Sequence, residues 1–268
     1  MRSSLIYGLV MALLFLCAPG CSSVPVTGRQ QLNIIPASQM MSMSYQQYGE
    51  FPKANKLSTD KPSADMVRRV GRKIQNAVEQ FMASQNLSAR LQGYQWEFNL
   101  VESKEVNAWC MPGGKVVVYT GLLAVTKGET GLAVVLGHEI AHAIAEHGDE
   151  RMSQGLLAEL GGAALDQALS SKPAQTRELW MSTFNVGVQY GALLPYSRTH
   201  ESEADHLGLI FMAIAGYDPN AALSFWQRMA AQGGQKPPEF MSTHPSDETR
   251  IKNIRDELPE ALRYYRKG

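Results

Sequence analysis

The chain has 268 residues, enough for one good-sized domain with a small appendage, and its 44% hydrophobic content is that of an ordinary globular protein. Lys plus Arg equals Asp plus Glu at 25 each, so no net field points to nucleic acid or to an anionic surface as the main partner. With three cysteines, a disulfide framework is excluded as the source of stability.

In chain order, Met1-Arg2 supplies a short positive start, Leu5 to Cys17 is an almost unbroken apolar run, and Ala18-Pro19-Gly20 ends it with small residues. This reads as an export signal over 1–20, too short for a transmembrane helix, which needs about 20 apolar residues. Cys21 follows at once. Ala-Pro-Gly-Cys resembles a bacterial lipoprotein processing site, with Ala18 where such sites usually carry Leu. Lipidation at Cys21 would hold the protein on a membrane without spanning it. Ser22 and Ser23 lack the Asp that favours inner-membrane retention in enterobacterial lipoproteins, so the expected location is periplasmic, on the outer membrane. Cys110 is then left without a partner and, in Asn-Ala-Trp-Cys-Met-Pro, reads as a buried structural thiol rather than a nucleophile.

Residues 21–62, rich in Ser, Pro, Gln and Met, read as a tether and N-terminal segment, and 63–268 as the main domain. From Ser63, apolar Met66, Val67, Val70, Ile74, Val78, Phe81 and Met82 recur at three and four spacing and predict a helix. Tyr94–Val101 alternates apolar and polar, Val106–Met111 follows, and Lys115–Tyr119 is a β-branched run after Pro112-Gly113-Gly114. These are three expected strands. Beyond Thr120 the pattern is helical, with breaks near Gly148, Lys172-Pro173, Gly216–Pro219 and Gly233–Pro238. Residues 152–195 fit a helical hairpin that either covers a cleft or fills the core. The expected fold is therefore α+β and mainly helical, a small sheet packed on a helical body.

The chemistry concentrates in Glu129–Glu146, where His138-Glu139-Ile140-Ala141-His142 falls inside a predicted helix. Residues four apart share a helix face, so both imidazoles can reach one metal, and Glu139 projects towards a water in its open position. Zinc suits this set, because it lowers the pKa of such a water to about 7 and the carboxylate can take the proton. Unpaired imidazoles among Leu136, Ile140 and Ile144 would be costly to bury, so a metal accounts for them better than an idle helix does. A third ligand is available in His200-Glu201-Ser202-Glu203-Ala204-Asp205. Glu201 and Asp205 share a face that Leu209 and Met212 continue inward. Spacing favours Glu201 as ligand, with Asp205 behind a ligand histidine, and leaves Glu203 and His200 open.

The His138–His142 helix, Glu201–Asp205, and Thr243-His244-Pro245 followed by Arg250-Ile251 together resemble the forty-eighth metallopeptidase family, which includes HtpX-type heat-shock proteases, CAAX prenyl endoproteases and exported quality-control peptidases. Val106-Asn107-Ala108-Trp109, Pro112-Gly113-Gly114 and Val118 to Leu123 add to the likeness, with Trp109 where members usually have Phe. So does Pro25 to Leu32, similar to the start of lipoprotein members. The resemblance implies a gluzincin fold with one zinc on His138, His142 and Glu201, Glu139 as base and Asp205 in support. It also implies that His244 lies near the metal, either stabilising the oxyanion or closing the open position in a latent state, with Arg250 its neighbour. An edge strand at Asn107 and Ala108 could pair with an extended protein substrate.

The expected function is a zinc-dependent endopeptidase acting on exported, misfolded envelope proteins, alongside envelope assembly machinery. The rival is a latent or inactive zinc-binding lipoprotein with a chaperone-like role, which a fourth protein ligand would favour. A prenyl-protein protease is excluded because no apolar run after Cys21 reaches membrane-spanning length.

Overall fold

The computed structural model describes residues 21–188, 194–231, 244 and 248–266. The expected signal at 1–20, the expected break at 233–238, and Thr243 and Pro245 lie outside the described residues. In order, the elements are β1 (Cys21–Ser23), β2 (Gln30–Leu32), α1 (Ala37–Ala54), α2 (Lys61–Ser84), a 3-10 turn (Ser88–Leu91), β3 (Glu97–Val101), β4 (Ala108–Met111), β5 (Lys115–Tyr119), α3 (Thr120–Thr126), α4 (Glu129–Ile144), α5 (His147–Ala168), α6 (Ala174–Val188), α7 (Leu194–Ile214), α8 (Ala221–Ala231) and α9 (Glu248–Tyr264). The fold is α+β and mainly helical, as expected. Among the described residues, no helix is long and apolar enough to cross a membrane.

The chain divides into two compact units. One comprises the described residues up to Met40 with Glu146–Arg198, the other Met41–Ala145 with Thr199 onward. In the first unit, β1 and β2 pair antiparallel, Cys21 opposite Leu32. This hairpin and the start of α5 are tied by polar contacts: Arg29 meets Glu150 with two N–H groups at 3.0 and 2.8 Å, Asn33 Nδ2 donates to Glu146 Oε2 at 2.5 Å, and the Ile34 N–H donates to Ser153 Oγ at 3.0 Å. α5 and α6 form the helical hairpin read from the sequence. Leu160, Leu179 and Trp180 stand exposed on it.

The second unit has a three-stranded sheet of order β3-β5-β4, with β3 parallel and β4 antiparallel to β5. Residues 94–96 and 106–107, expected as strand, lie just outside β3 and β4, a shift of ladder ends rather than of elements. The β4–β5 turn is built by its sequence: Pro112 takes the first central position, Gly113 the second at φ 87°, and the Gly114 N–H donates to the Met111 carbonyl at 3.1 Å. Only glycine adopts that positive φ cheaply in a type II turn. α2 is started by Asp60, whose side chain accepts from the Ser63 N–H, and by Pro62 in the first turn. It buries Val67, Val70, Ile74, Val78, Phe81 and Met82, the stripe its periodicity predicts. α4 differs from its prediction, because every residue from Gly131 to Ile144 is buried rather than one broad face. It is the central helix of the unit, packed by α2, α3, α8 and β4, which is why its sequence is apolar all round.

Candidate metal centre

Burial on all sides of α4 carries His138, Glu139 and His142 into the interior, at 1%, 4% and 7% exposure. α7 brings Glu201 and Asp205 to the same place, because α4 and α7 cross at two glycines. A Cβ at Gly137 would stand 2.8 Å from the Gly208 carbonyl oxygen, and one at Gly208 would stand 2.9 Å from the His138 nitrogen. Backbone meets backbone at this crossing.

Four groups converge there: His138, His142, Glu201 and His244 each offer a donor atom, all within 4.8 Å of one another. His138 Nε2 lies 3.1 Å from His142 Nε2, 3.1 Å from His244 Nδ1 and 3.3 Å from Glu201 Oε2. His142 Nε2 lies 3.2 Å from Glu201 Oε1, and His244 Nδ1 lies 2.9 Å from Glu201 Oε2. Hydrogen bonding serves this arrangement poorly, since a ring nitrogen offers either one proton or one lone pair and His138 Nε2 faces two ring nitrogens and a carboxylate oxygen at once. A metal serves it better. Zinc–ligand bonds of about 2.0–2.1 Å in a tetrahedron put neighbouring donors about 3.3 Å apart, close to the spacings seen. The donor set therefore fits a small tetrahedral cation, and its nitrogen and carboxylate composition suits zinc among several divalent metals.

Behind the donors, Asp205 Oδ1 is 2.9 Å from His138 Nδ1, an arrangement that fixes the ring with Nε2 free for a metal. Arg250 grips Asp205 with Nε and Nη2, both at 2.7 Å, and reaches Glu201 Oε2 with Nη1 at 3.1 Å. Arg250 Cζ sits 3.4 Å from the centroid of the Trp226 ring, which also meets the His138 ring at 5.6 Å. Glu139 Oε1 accepts no hydrogen bond among the described residues and lies 3.5 Å from His244 Nε2. Glu203 and His200, left open as ligands by spacing, are buried on α7 but do not join the donor cluster.

Electrostatics follow from this packing. Burial raises the Glu139 carboxyl above its usual range, against the opposing charges of His244 and His138. Glu201 is driven the other way, well below the usual range, because the charge of His142 and hydrogen bonds from three histidines outweigh burial. Asp205 is also lowered despite burial, chiefly by Arg250. At His138, burial and Arg250 pull downward but are outweighed by Asp205 and Glu201, which leave it raised to about 9. This imidazole sits in a field that wants a positive charge, whether a proton or a metal. The Cys110 thiol is pushed up by burial and by the Glu139 charge, so little thiolate forms there.

Sequence reasoning did not find Trp226, which sits in the ordinary apolar pattern Ala222, Phe225, Trp226, Met229 of α8. Nor did it find Gly137 and Gly208, whose only signal is a small residue on each metal-facing helix.

A buried His-Glu-x-x-His helix crossed by a second helix carrying Glu201 and Asp205 defines the metallopeptidase class of site, and comparison with known proteins gives the family. The model of peptidase family M48 matches residues 69–258, and the chain belongs to that family. The chain is 43% identical over 172 residues to the mitochondrial metalloendopeptidase OMA1 of Schizosaccharomyces pombe, covering 62% of this chain and 48% of the relative. It is 36% identical over 181 residues to the protein of the same name from Arabidopsis thaliana, covering 67% and 35%. It is 33% identical over 166 residues to the beta-barrel assembly-enhancing protease of Yersinia pestis, covering 60% and 34%. The chain thus spans about half or less of these relatives' lengths.

These relatives correct one expectation. The periplasmic, outer-membrane location read from the N-terminal residues is overturned by similarity to mitochondrial enzymes at 43% and 36% identity. The physical reason is that a short positive start and an apolar run report only on a route into or across a membrane. They carry no information about which membrane.

Proposed function

We propose that this chain is a zinc-dependent endopeptidase, with His138, His142 and Glu201 as ligands and Glu139 as general base. The observation that carries the reading is the buried donor cluster, spaced at 3.1–3.3 Å among those three residues, beside a Glu139 oxygen that accepts no hydrogen bond among the described residues. Zinc in this cluster would supply a Lewis acid for the scissile carbonyl and lower the pKa of water towards about 7. Glu139 Oε1 takes the proton of the attacking water and passes it to the leaving amine; a carboxyl raised by burial suits both steps. Asp205 holds the His138 tautomer, and Arg250 fixes Asp205 and Glu201.

Substrate alignment falls to β4. The Tyr119 N–H donates to the Asn107 carbonyl at 3.0 Å, so by antiparallel alternation the N–H and C=O of Ala108 and Cys110 point to the outer edge of the sheet. The Ala108 N–H is covered by Asn107 Oδ1 at 2.9 Å, a bond that an extended substrate would replace. Main-chain pairing asks little of side chains, which fits unfolded or misfolded proteins as the substrate class.

A second reading rests on His244, whose Nδ1 lies in the donor cluster and whose Nε2 faces Glu139. With His244 as fourth ligand the site is latent, and displacement of this residue opens it. The experiment is cleavage of casein by wild type, Glu139→Gln and His244→Ala, with bound zinc quantified in each. Cleavage by the wild type, none by Glu139→Gln, and one zinc in both support the peptidase. A His244→Ala protein that cuts faster than wild type identifies the latent state; absence of zinc from the wild type refutes the proposal.

A further inference from the structure

Arg250 is a planar cation buried to 6% exposure, and such a group is tolerated only if its edges and faces are all satisfied. Three of its five N–H groups are held by carboxylates: two go to Asp205 and one to Glu201. One face is closed by Trp226, itself 1% exposed, with Arg250 Cζ 3.4 Å from the ring centroid. Guanidinium stacked at this distance on an indole is held both electrostatically and by contact.

We propose that Trp226 is a positioning residue of the metal site. From α8 its ring sets the plane of Arg250 on α9, and that plane decides whether one guanidinium can reach Asp205 and Glu201, one turn apart on α7, at the same time. Asp205 Oδ1 receives both Arg250 Nη2 and the His138 ring at Nδ1, so tilting Arg250 would loosen His138, while Glu201 would lose its in-plane partner. Two of the three ligands thus depend on an aromatic face that offers no donor atom to the cluster. This inference rests on the zinc-peptidase reading and extends it.

The test uses Trp226→Phe and Trp226→Leu in the full chain. Zinc affinity is measured by competition with a chromophoric chelator, cobalt-substituted protein is examined by visible spectroscopy, and metal-free proteins are melted to record any general loss of stability. Trp226→Phe, which keeps an aromatic face, should bind zinc within about threefold of wild type, whereas Trp226→Leu should lose about 10–100-fold and alter the cobalt spectrum. Equal zinc affinity in Trp226→Leu and wild type overturns the inference and leaves the peptidase reading standing. So do equal losses in the Phe and Leu variants that match their losses in metal-free stability, because that pattern marks a purely structural residue. A wild type that binds no zinc removes both.

Discussion

The Gly137–Gly208 crossing turns the position of the ligands into a question of tenths of an ångström. In Gly208→Ala the new Cβ would stand 2.9 Å from the His138 nitrogen and 3.0 Å from the Gly137 carbonyl carbon. Comfortable heavy-atom contacts begin near 3.5 Å, so α4 and α7 must separate by about 0.5 Å. The neighbours are backbone atoms, so no side-chain rotation relieves the clash. Glu201 rides on α7 at 3.3 and 3.2 Å from the two histidine nitrogens on α4, and a metal site tolerates ligand displacements of only about 0.2 Å. Overpacking should cost about 1–3 kcal/mol, offset by about 1 kcal/mol from the better helix propensity of Ala. Metal-free Gly208→Ala is thus expected to lose at most about 2 kcal/mol, while its zinc affinity falls about tenfold or more, equivalent to at least about 1.4 kcal/mol. Circular-dichroism melts of the metal-free protein and chelator competition measure the two separately. Gly49→Ala, inside α1, where an added Cβ meets nothing within 4 Å, is the control: it should leave zinc affinity unchanged and raise metal-free stability by up to about 1 kcal/mol. Zinc binding by Gly208→Ala as tight as wild type would refute the claim that this crossing sets the ligand spacing.

Removing the metal should itself be visible, since zinc at a thousandfold excess over its dissociation constant adds about 4 kcal/mol to a fold that binds it. Melts with chelator and with excess zinc should differ by several degrees, and coincident curves would argue against a bound metal. In the first unit, burial and the Glu146 charge raise Asp149 to about 7, and its Oδ1 accepts no hydrogen bond among the described residues. The folded state therefore holds this proton more tightly than the unfolded chain. The stability it contributes is fully present below the ordinary value of 3.8 and is lost as pH rises through about 7. Opening of α5, followed by amide hydrogen exchange, should become easier from pH 5 to 8, by no more than about 3 kcal/mol, and Asp149→Asn should flatten that dependence. An unchanged slope in the variant would show that another group is responsible.

The legible parts of the structure are those whose signal is local. Asp60, Pro62 and the apolar stripe of α2 are a start signal and a period. Pro112-Gly113-Gly114 is a turn whose positive φ values favour glycine and whose first central position suits proline. His138 and His142 lie four apart, and that spacing alone puts two imidazoles on one side of a helix. Extension of α1 through Ala37–Ala54 was not legible, because its polar and small residues give weak periodicity. The central placement of α4 was not legible either, since an all-apolar helix has no preferred direction to reveal.

By itself the sequence determined which chemical groups were available and how they were spaced along each helix, because side-chain periodicity follows from backbone geometry within a few residues. Spacing narrowed the expected third ligand to one short segment of α7, and the family resemblance, rather than spacing, pointed to Glu201 over Glu203 and His200. Only the tertiary structure shows which of these side chains meets the two histidines, by setting Gly208 against Gly137 and bringing Glu201 and Asp205 to His138. It likewise placed the His244 ring beside His138 and stacked Trp226 on Arg250. Those contacts join residues 63 to 112 positions apart or act between separate helices, and their distances depend on how close two backbones come, which no local pattern encodes.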